Sequence, residues 1–346
     1  MDFDLTEDQL ALRTGANDVL DDLASPARVR AHTTTDAAFE PALWTAMVEQ
    51  GWLGVEVDET TGGLGLGSVE VAVLVEELGR HAAPVPFVPI VLALDALRTA
   101  GVDAWVDAWV ERLLNGDAIA CVAWDPGAPV PYAPSADIAI VVTDDGVYAT
   151  ELGDAASGGR PRREPAMDLT RELGWLHFDP ATSRRLGGPE ARTRLLDRGA
   201  TFTSADLLGS ATRALDMSVE YAKDRVQFGR PIGSFQAVKH RCADMLVDVE
   251  GMRSTVYWAA WCIGAGDPDA SVAASTAKIW CGDASKRVMA SALQVHGGIG
   301  FTWEHDLHFF LKRAQLDQLA FGDASAHRGR LAALLRPRVE AGESVV

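Results

Sequence analysis

The 346-residue sequence predicts a mainly α-helical protein interrupted by a small β module. Apolar residues recur at three- and four-residue spacing through residues 1–117 and again through 189–346, as they do on helices that bury one face. Between these regions, residues 118–188 carry short β-favouring runs separated by turn residues. No run of about 18 or more uncharged apolar residues occurs, so no transmembrane helix is expected.

Each element has its own signal. Thr6 is an N-cap with Gln9 three residues later, a capping box opening the first helix. Trp44, Met47 and Val48 mark a second helical face, ended near Gly51. Glu70, Val71, Val73, Leu74, Val75 and Leu78 mark a third. The stretch Thr61-Gly-Gly-Leu-Gly-Leu-Gly-Ser68 precedes that helix, as dinucleotide-binding loops do. It follows Asp58-Glu59-Thr60 instead of a buried strand, so it reads as a loop entering the helix. Pro84, Pro86 and Pro89 break the helix, and a further one runs from Val91 through Ala100. Ile119-Ala-Cys-Val-Ala123, Ile138-Ala-Ile-Val-Val142 and Gly146-Val-Tyr-Ala-Thr150 are the strands, with turns at Asp125-Pro126-Gly127 and Asp144-Asp145-Gly146. Residues 153–165 read as a flexible loop. From Pro189 to Arg336 long helical patterns return, predicting a four-helix bundle.

Composition narrows the function. Apolar content of 48% and charged content of 23% are those of a soluble globular protein. A net charge of −18 disfavours nucleic acid and anionic membranes as partners. The acidic start, Met-Asp-Phe-Asp-Leu-Thr-Glu-Asp, lacks a secretory pattern. The four cysteines (Cys121, Cys242, Cys262, Cys281) show no CxxC spacing and read as reduced thiols of a cytoplasmic protein. His305, His308 and His327, beside Glu304 and Asp306, raise a metal reading. Solvated or interface histidines are favoured because no full ligand set is evident, and no metal is expected. Trp105, Trp109, Trp258, Trp261 and Trp280 read as packing or interface residues.

The chain is organised around Arg225-Val-Gln-Phe-Gly-Arg-Pro-Ile-Gly-Ser-Phe-Gln236, flanked by two helical patterns. Leu207, Leu208, Ala211, Leu215, Val219 and Ala222 precede it, and Val238, Cys242, Met245, Leu246, Val249 and Met252 follow. Its glycines and proline predict a helix end, a tight connection and a new helix. Arg225, in the last turn before the break, can cap the final carbonyls or offer a planar fork to a phosphate. A second block is Gln294-Val-His-Gly-Gly-Ile-Gly-Phe-Thr-Trp-Glu304. A third runs through Gly51-Trp52-Leu-Gly54, Gly62-Gly63-Leu-Gly65 and Glu76-Glu77-Leu-Gly79-Arg80.

These blocks, in this order, resemble those of the acyl-CoA dehydrogenase family and span most of the chain. The resemblance implies an N-terminal helical domain (1–117), a shortened middle β domain (118–188) and a C-terminal four-helix bundle (189–346). It implies FAD, held between subunits. One subunit's β domain and catalytic loop surround the flavin, and the neighbour's C-terminal domain reaches the pyrophosphate and adenine. The positions here that match the neighbour's role are Arg225, Phe228, Gln236, Gln294, Gly297 and Gly298. Arginine pairs with pyrophosphate oxygens, Gln294 offers a donor and an acceptor, and glycines admit close approach of main-chain amides.

The catalytic half departs from the family pattern. The reaction removes an α-proton with a carboxylate while hydride leaves the β-carbon. Counting without gaps from Gly300, the usual glutamate position is Phe321, followed by Gly322. Other members carry the base on the helix before the arginine motif, near Gly199 here, where Asp197 and Asp206 are the nearest carboxylates. The family's Thr-Glu-Pro corresponds at best to Ala123-Trp124-Asp125-Pro126, and no Trp- or Phe-Ile-Thr segment is found. Asp323 stands where a threonine near the cofactor phosphates is common. The chain is similar to the short, base-less subunits of actinobacterial α2β2 acyl-CoA dehydrogenases acting on steroid side-chain CoA thioesters. The expected role is a partner subunit completing an FAD site in trans, beside a second subunit that carries the catalytic glutamate and binds most of the acyl-CoA. Two alternatives stay open: an autonomous enzyme with a relocated base, Asp206 first among candidates, and a cofactor-free scaffold of the same fold.

Overall fold

The structure, a computed structural model, describes residues 4–125, 127–153 and 159–344. Helices α1 (Glu7–Leu23), α2 (Pro26–His32), α3 (Pro41–Glu49), α4 (Ser68–Arg80), α5 (Phe87–Thr99) and α6 (Ala104–Leu114) come first. Strands β1 (Ala120–Ala123), β2 (Val130–Pro131), β3 (Ile138–Thr143), β4 (Gly146–Glu151), β5 (Arg163–Glu164), β6 (Leu173–Gly174) and β7 (Arg184–Gly187) follow. Then come α7 (Pro189–Asp224), a ribbon of β8 (Val226–Gln227) and β9 (Arg230–Pro231), α8 (Gln236–Ala265), α9 (Ala270–His296), α10 (Leu307–Leu319) and α11 (Ala324–Glu340). The chain forms two compact units. One comprises Met1–Asn17, Ala72–Ala82 and Ala200–Val346, and the other Asp18–Val71 and Ala83–Gly199.

In the second of these units the three expected strands are present and lie in one sheet, ordered β1-β3-β4-β7. β1 pairs parallel with β3, and β3 turns through Asp144 and Asp145 into antiparallel β4. The Thr143 hydroxyl donates to Asp145 Oδ1 (2.6 Å) and tightens that turn. Strand β7 gives no clear sequence signal because only Leu186 of its four residues is buried. A second sheet, ordered β2-β6-β5, has two residues per strand, too few for an alternation to register. One of its strands, β5, lies within the stretch expected to be a flexible loop. Residues 154–158 of that stretch, and Pro126 of the expected turn and of the Thr-Glu-Pro counterpart, lie outside the described residues. The glycine-rich stretch follows a short 3-10 turn, Glu59–Thr61, with no strand before it, which rules out the dinucleotide-loop context. α5 starts at Phe87 instead of Val91. Pro89 fits inside its first turn because an N–H there has no helical partner to lose. Trp105 and Trp109 of α6 both donate to Glu151 Oε1 (2.6 and 3.2 Å), a packing role for both rings. The buried Arg198 pairs with Glu56 and lies 3.4 Å from Asp95.

The first unit begins with the expected capping box: Gln9 N–H donates to Thr6 Oγ1 (3.2 Å) and Thr6 N–H to Gln9 Oε1 (3.0 Å). α9 is its centre, packed by α8, α10 and α11. α7 joins through Tyr221, whose ring stacks on His296 of α9 (4.8 Å), and Asp206, 3.9 Å from Arg313 of α10. The long helices α7, α8, α9 and α11 and the short α10 thus make up the C-terminal bundle. α4 crosses α7 in direct backbone contact. A Cβ on Gly209 would lie 1.9 Å from the Glu76 carbonyl oxygen, so only glycine permits this approach. Beside the crossing, Glu76 accepts from Arg13 (3.1 Å) and the Tyr257 hydroxyl (2.6 Å) and pairs with Arg253.

Two predictions follow from this crossing. Gly209→Ala forces the two backbones apart and should cost about 1–3 kcal/mol or more, read as a lower unfolding midpoint with helical content retained below it. The second concerns Glu77. Burial, reinforced by Glu76, raises it to about 7 against the opposing pull of Arg80, Arg13 and Arg253. The folded state therefore keeps a proton that the unfolded chain releases above about pH 4.5. Stability from this group is fully present below that pH and is lost as pH rises through about 7. The thermal midpoint of Glu77→Gln should accordingly fall less between pH 5 and pH 8 than that of the parent protein.

Candidate functional site

α7 ends at Asp224, one residue earlier than the sequence suggests, and Arg225 N–H still donates to Tyr221 O (2.9 Å). The Arg225 side chain is exposed and makes no hydrogen bond or ion pair among the described residues. It does not cap the helix carbonyls. The β8–β9 ribbon closes on Phe228 and Gly229, both left-handed (φ 51° and 76°), the pattern of a two-residue I′ hairpin turn. A left-handed phenylalanine is costly. Here the residue is 91% exposed, its ring meeting only the edge-on ring of Phe235 (6.1 Å) among the ring contacts of the described residues. Phe235 closes the connection, with the Arg230 guanidinium 4.1 Å over its ring, and Gln236 opens α8 on the surface.

α8 and α9 are antiparallel and in fixed register. Arg287 of α9 holds Asp248 of α8 (3.0 Å), Trp280 donates to the Asp248 carbonyl (3.3 Å), and Arg241 reaches Ser291 (3.5 Å). This register brings the start of α8, with Gln236, level with the end of α9, where Gln294, Gly297 and Gly298 lie exposed. Gly297 (φ 61°, ψ −139°) ends the helix in a conformation that side-chain-bearing residues rarely adopt. The space about a Cβ position on Gly298 is open. The ring contact of Tyr221 with His296 brings the last turn of α7, and so Arg225, to the same end of the bundle. All six residues expected to touch a cofactor therefore converge from α7, the ribbon, α8 and α9. An unpaired guanidinium at the same end of the bundle as an exposed glycine turn is equipped to receive an anion, although the Gly297 N–H itself is donated to Leu293 O.

The sequence-model comparisons settle the family. The N-terminal domain of acyl-CoA dehydrogenases matches residues 6–117 and their C-terminal domain matches residues 187–335. The chain belongs to the acyl-CoA dehydrogenase family. It is 35% identical to the acyl-CoA dehydrogenase IpdE2 of Mycolicibacterium smegmatis over 312 residues, 90% of this chain and 93% of that protein. Among solved structures it is similar to the ChsE4–ChsE5 complex from Mycobacterium tuberculosis (TM-score 0.85, 30% identity, 97% of this chain and 99% of the other). It is also similar to the Tcur3481–Tcur3483 steroid acyl-CoA dehydrogenase (TM-score 0.86, 30% identity, 96% and 99%).

For an acyl-CoA dehydrogenase, the stretch between α10 and α11 is of particular interest. Phe321 is buried there in a left-handed conformation (φ 55°), its carbonyl 2.9 Å from His327 Nε2. Asp323 is the N-cap of α11, its carboxylate accepting from Ala326 N–H (2.8 Å), a task that threonine also performs. The candidate alternative bases are both buried. Asp206 lies against the backbone of Gly79, with Arg313 Nη1 3.9 Å from its Oδ1; Asp197 is 6% exposed. The histidines are dispersed among separate tasks. His305 Nδ1 accepts from Leu307 N–H (3.2 Å), His308 packs on Trp303 (4.7 Å), and His327 meets Phe321. Among the described residues no three His, Cys, Asp or Glu side chains form a group able to hold a metal ion. The stacking of Tyr221 on His296 could not be read from the sequence. Their positions, one turn before Arg225 and immediately before Gly297, are the only signal it had.

Proposed function

We propose that this chain is the partner subunit of a heteromeric FAD-dependent acyl-CoA dehydrogenase. It completes the FAD site of a second subunit and contributes no catalytic base. The observation that carries this reading is a pairing of opposites. Arg225, Gln294, Gly297 and Gly298 are exposed, while Phe321, which the count from Gly300 puts at the place of the usual glutamate, is buried. An exposed half-site suits a ligand held mainly by another chain. The two solved structures named above support a heteromeric assembly, each being a pair of different proteins.

In this reading FAD, when bound, accepts the hydride that leaves the substrate β-carbon. Arg225 would pair with its pyrophosphate, Phe228 and Gln236 would border it from the ribbon and α8, Gln294 would supply further hydrogen bonds, and the Gly297–Gly298 turn would leave room for its close approach. The α-proton goes to a carboxylate of the second subunit, because a phenylalanine side chain cannot accept it. The substrate is an acyl-CoA. A steroid side-chain thioester is the class suggested by the name of the Tcur3481–Tcur3483 enzyme. An autonomous enzyme based on Asp206 is disfavoured by the burial of that carboxylate against α4.

Loss of a charge-assisted contact in Arg225→Ala should weaken FAD binding by the complex by about 1.5–3 kcal/mol, with Arg225→Lys recovering only part of it. Flavin fluorescence titration measures both, and an unchanged affinity would remove Arg225 from the site. Phe321→Leu should leave turnover of the complex nearly intact, and Phe321→Ala should act through stability alone, by about 3–5 kcal/mol. Phe321→Glu should create no acyl-CoA oxidation in the isolated chain, measured with an artificial electron acceptor at matched FAD occupancy. Activity there would show that the chain's own site lacks only its base.

A further inference from the structure

Three aromatic rings from three elements meet beneath the glycine turn. His296 is the last residue of α9, Tyr221 lies in the last turn of α7, and His305 precedes α10. The Tyr221 and His296 rings are stacked at 4.8 Å and 26°, and His305 meets His296 edge-on at 4.5 Å. Each ring is tied to a piece of the half-site or its border. The Tyr221 carbonyl receives the Arg225 N–H (2.9 Å), and His296 is bonded directly to Gly297. His305 Nδ1 receives the Leu307 N–H, which anchors that ring to the start of α10.

We infer that His296, as a neutral imidazole packed against both Tyr221 and His305, is a positioning residue that sets the Gly297–Gly298 turn relative to Arg225. This rests on the proposed FAD half-site and names the residue that makes it sensitive to pH. His296 is 3% exposed. With its Nδ1 bearing the proton, it donates to Ala292 O (2.8 Å), the bond that holds the ring along its own helix. Its Nε2 is buried, and the Met217 main-chain carbonyl of α7 is the second backbone group that acts on the ring. Protonation would place a positive charge on a ring that is buried between partly exposed neighbours. The titratable groups that face His296 are Tyr221 from α7 and His305 from the connection to α10. Burial pushes His296 below the ordinary histidine value of 6.5, against the opposite influence of the main-chain carbonyls of Ala292 and Met217. The neutral ring is therefore fully present above about pH 6.5 and is lost as pH falls through its lowered value.

The test is the FAD dissociation constant of the assembled, flavin-bearing complex from pH 5 to pH 8, by fluorescence of released flavin. The parent complex should bind FAD at least tenfold more weakly at pH 5 than at pH 7.5. His296→Phe keeps a flat ring in the stack without a titrating nitrogen, so it should match the parent at pH 7.5 and lose most of the acid weakening. His296→Ala should bind at least tenfold more weakly at every pH. Acid weakening in His296→Phe equal to that of the parent, or parent-like affinity of His296→Ala at pH 7.5, overturns the assignment. Arg225→Ala, measured alongside, separates the two claims. If it weakens FAD binding while the His296 variants behave as the parent, only the positioning role fails; if it has no effect, the half-site itself fails.

Discussion

The antiparallel packing of α8 on α9 is the constraint on which the candidate site depends. Arg287 on Asp248, Trp280 on the Asp248 carbonyl and Arg241 near Ser291 fix one register along the two helices. A slip of one turn, about 5.4 Å, would separate Gln236 from Gly297 and Gly298 by more than the reach of a shared ligand group. At the far end the same pairing closes a core of small residues, Ala259, Cys262, Ala273 and Ala277. Small side chains bring the helices close, and closeness makes the polar contacts at the other end specific.

The polar chemistry of the C-terminal bundle divides into what is hidden and what is offered. Lys278 is wholly buried, its ammonium donating to the Asp317 main-chain carbonyl, and burial lowers it to about 8 despite the raising effect of Asp317. Arg313 and Asp206 are likewise internal. These charges hold helices together and are closed to a substrate. Arg225, Gln236 and Gln294 are the opposite case: exposed, and without partners among the described residues. Desolvating a guanidinium against an anion is favourable only if the anion arrives with other contacts. That is what a cofactor already seated on a second chain would provide.

Much of this was legible in the sequence, for reasons that can be located. Thr6 and Gln9 form the capping box because that motif is local and its two hydrogen bonds span three residues. The break at Phe228-Gly229 was readable because glycine and proline act on the backbone directly. The count from Gly300 to Phe321 needs no folding at all, and the structure adds to it that the ring is buried. What stayed hidden was tertiary. Lys278 sits in a helical run where a lysine ordinarily reads as surface, and nothing local marks it as buried. The strands of the second sheet are two residues long and exist only through their pairing. The Tyr221–His296–His305 stack joins residues 75 and 9 positions apart by numbering, a relation visible only in space.

The central claim is that this chain offers half of a flavin site and needs another chain for the rest. Its most direct measurement is the flavin content of the purified protein, produced alone and together with a second acyl-CoA dehydrogenase chain that carries a glutamate where this one has Phe321. The account predicts a colourless or poorly soluble product alone, and a yellow complex that oxidises acyl-CoA from the pair. Stoichiometric FAD together with acyl-CoA oxidation in the lone chain would contradict it.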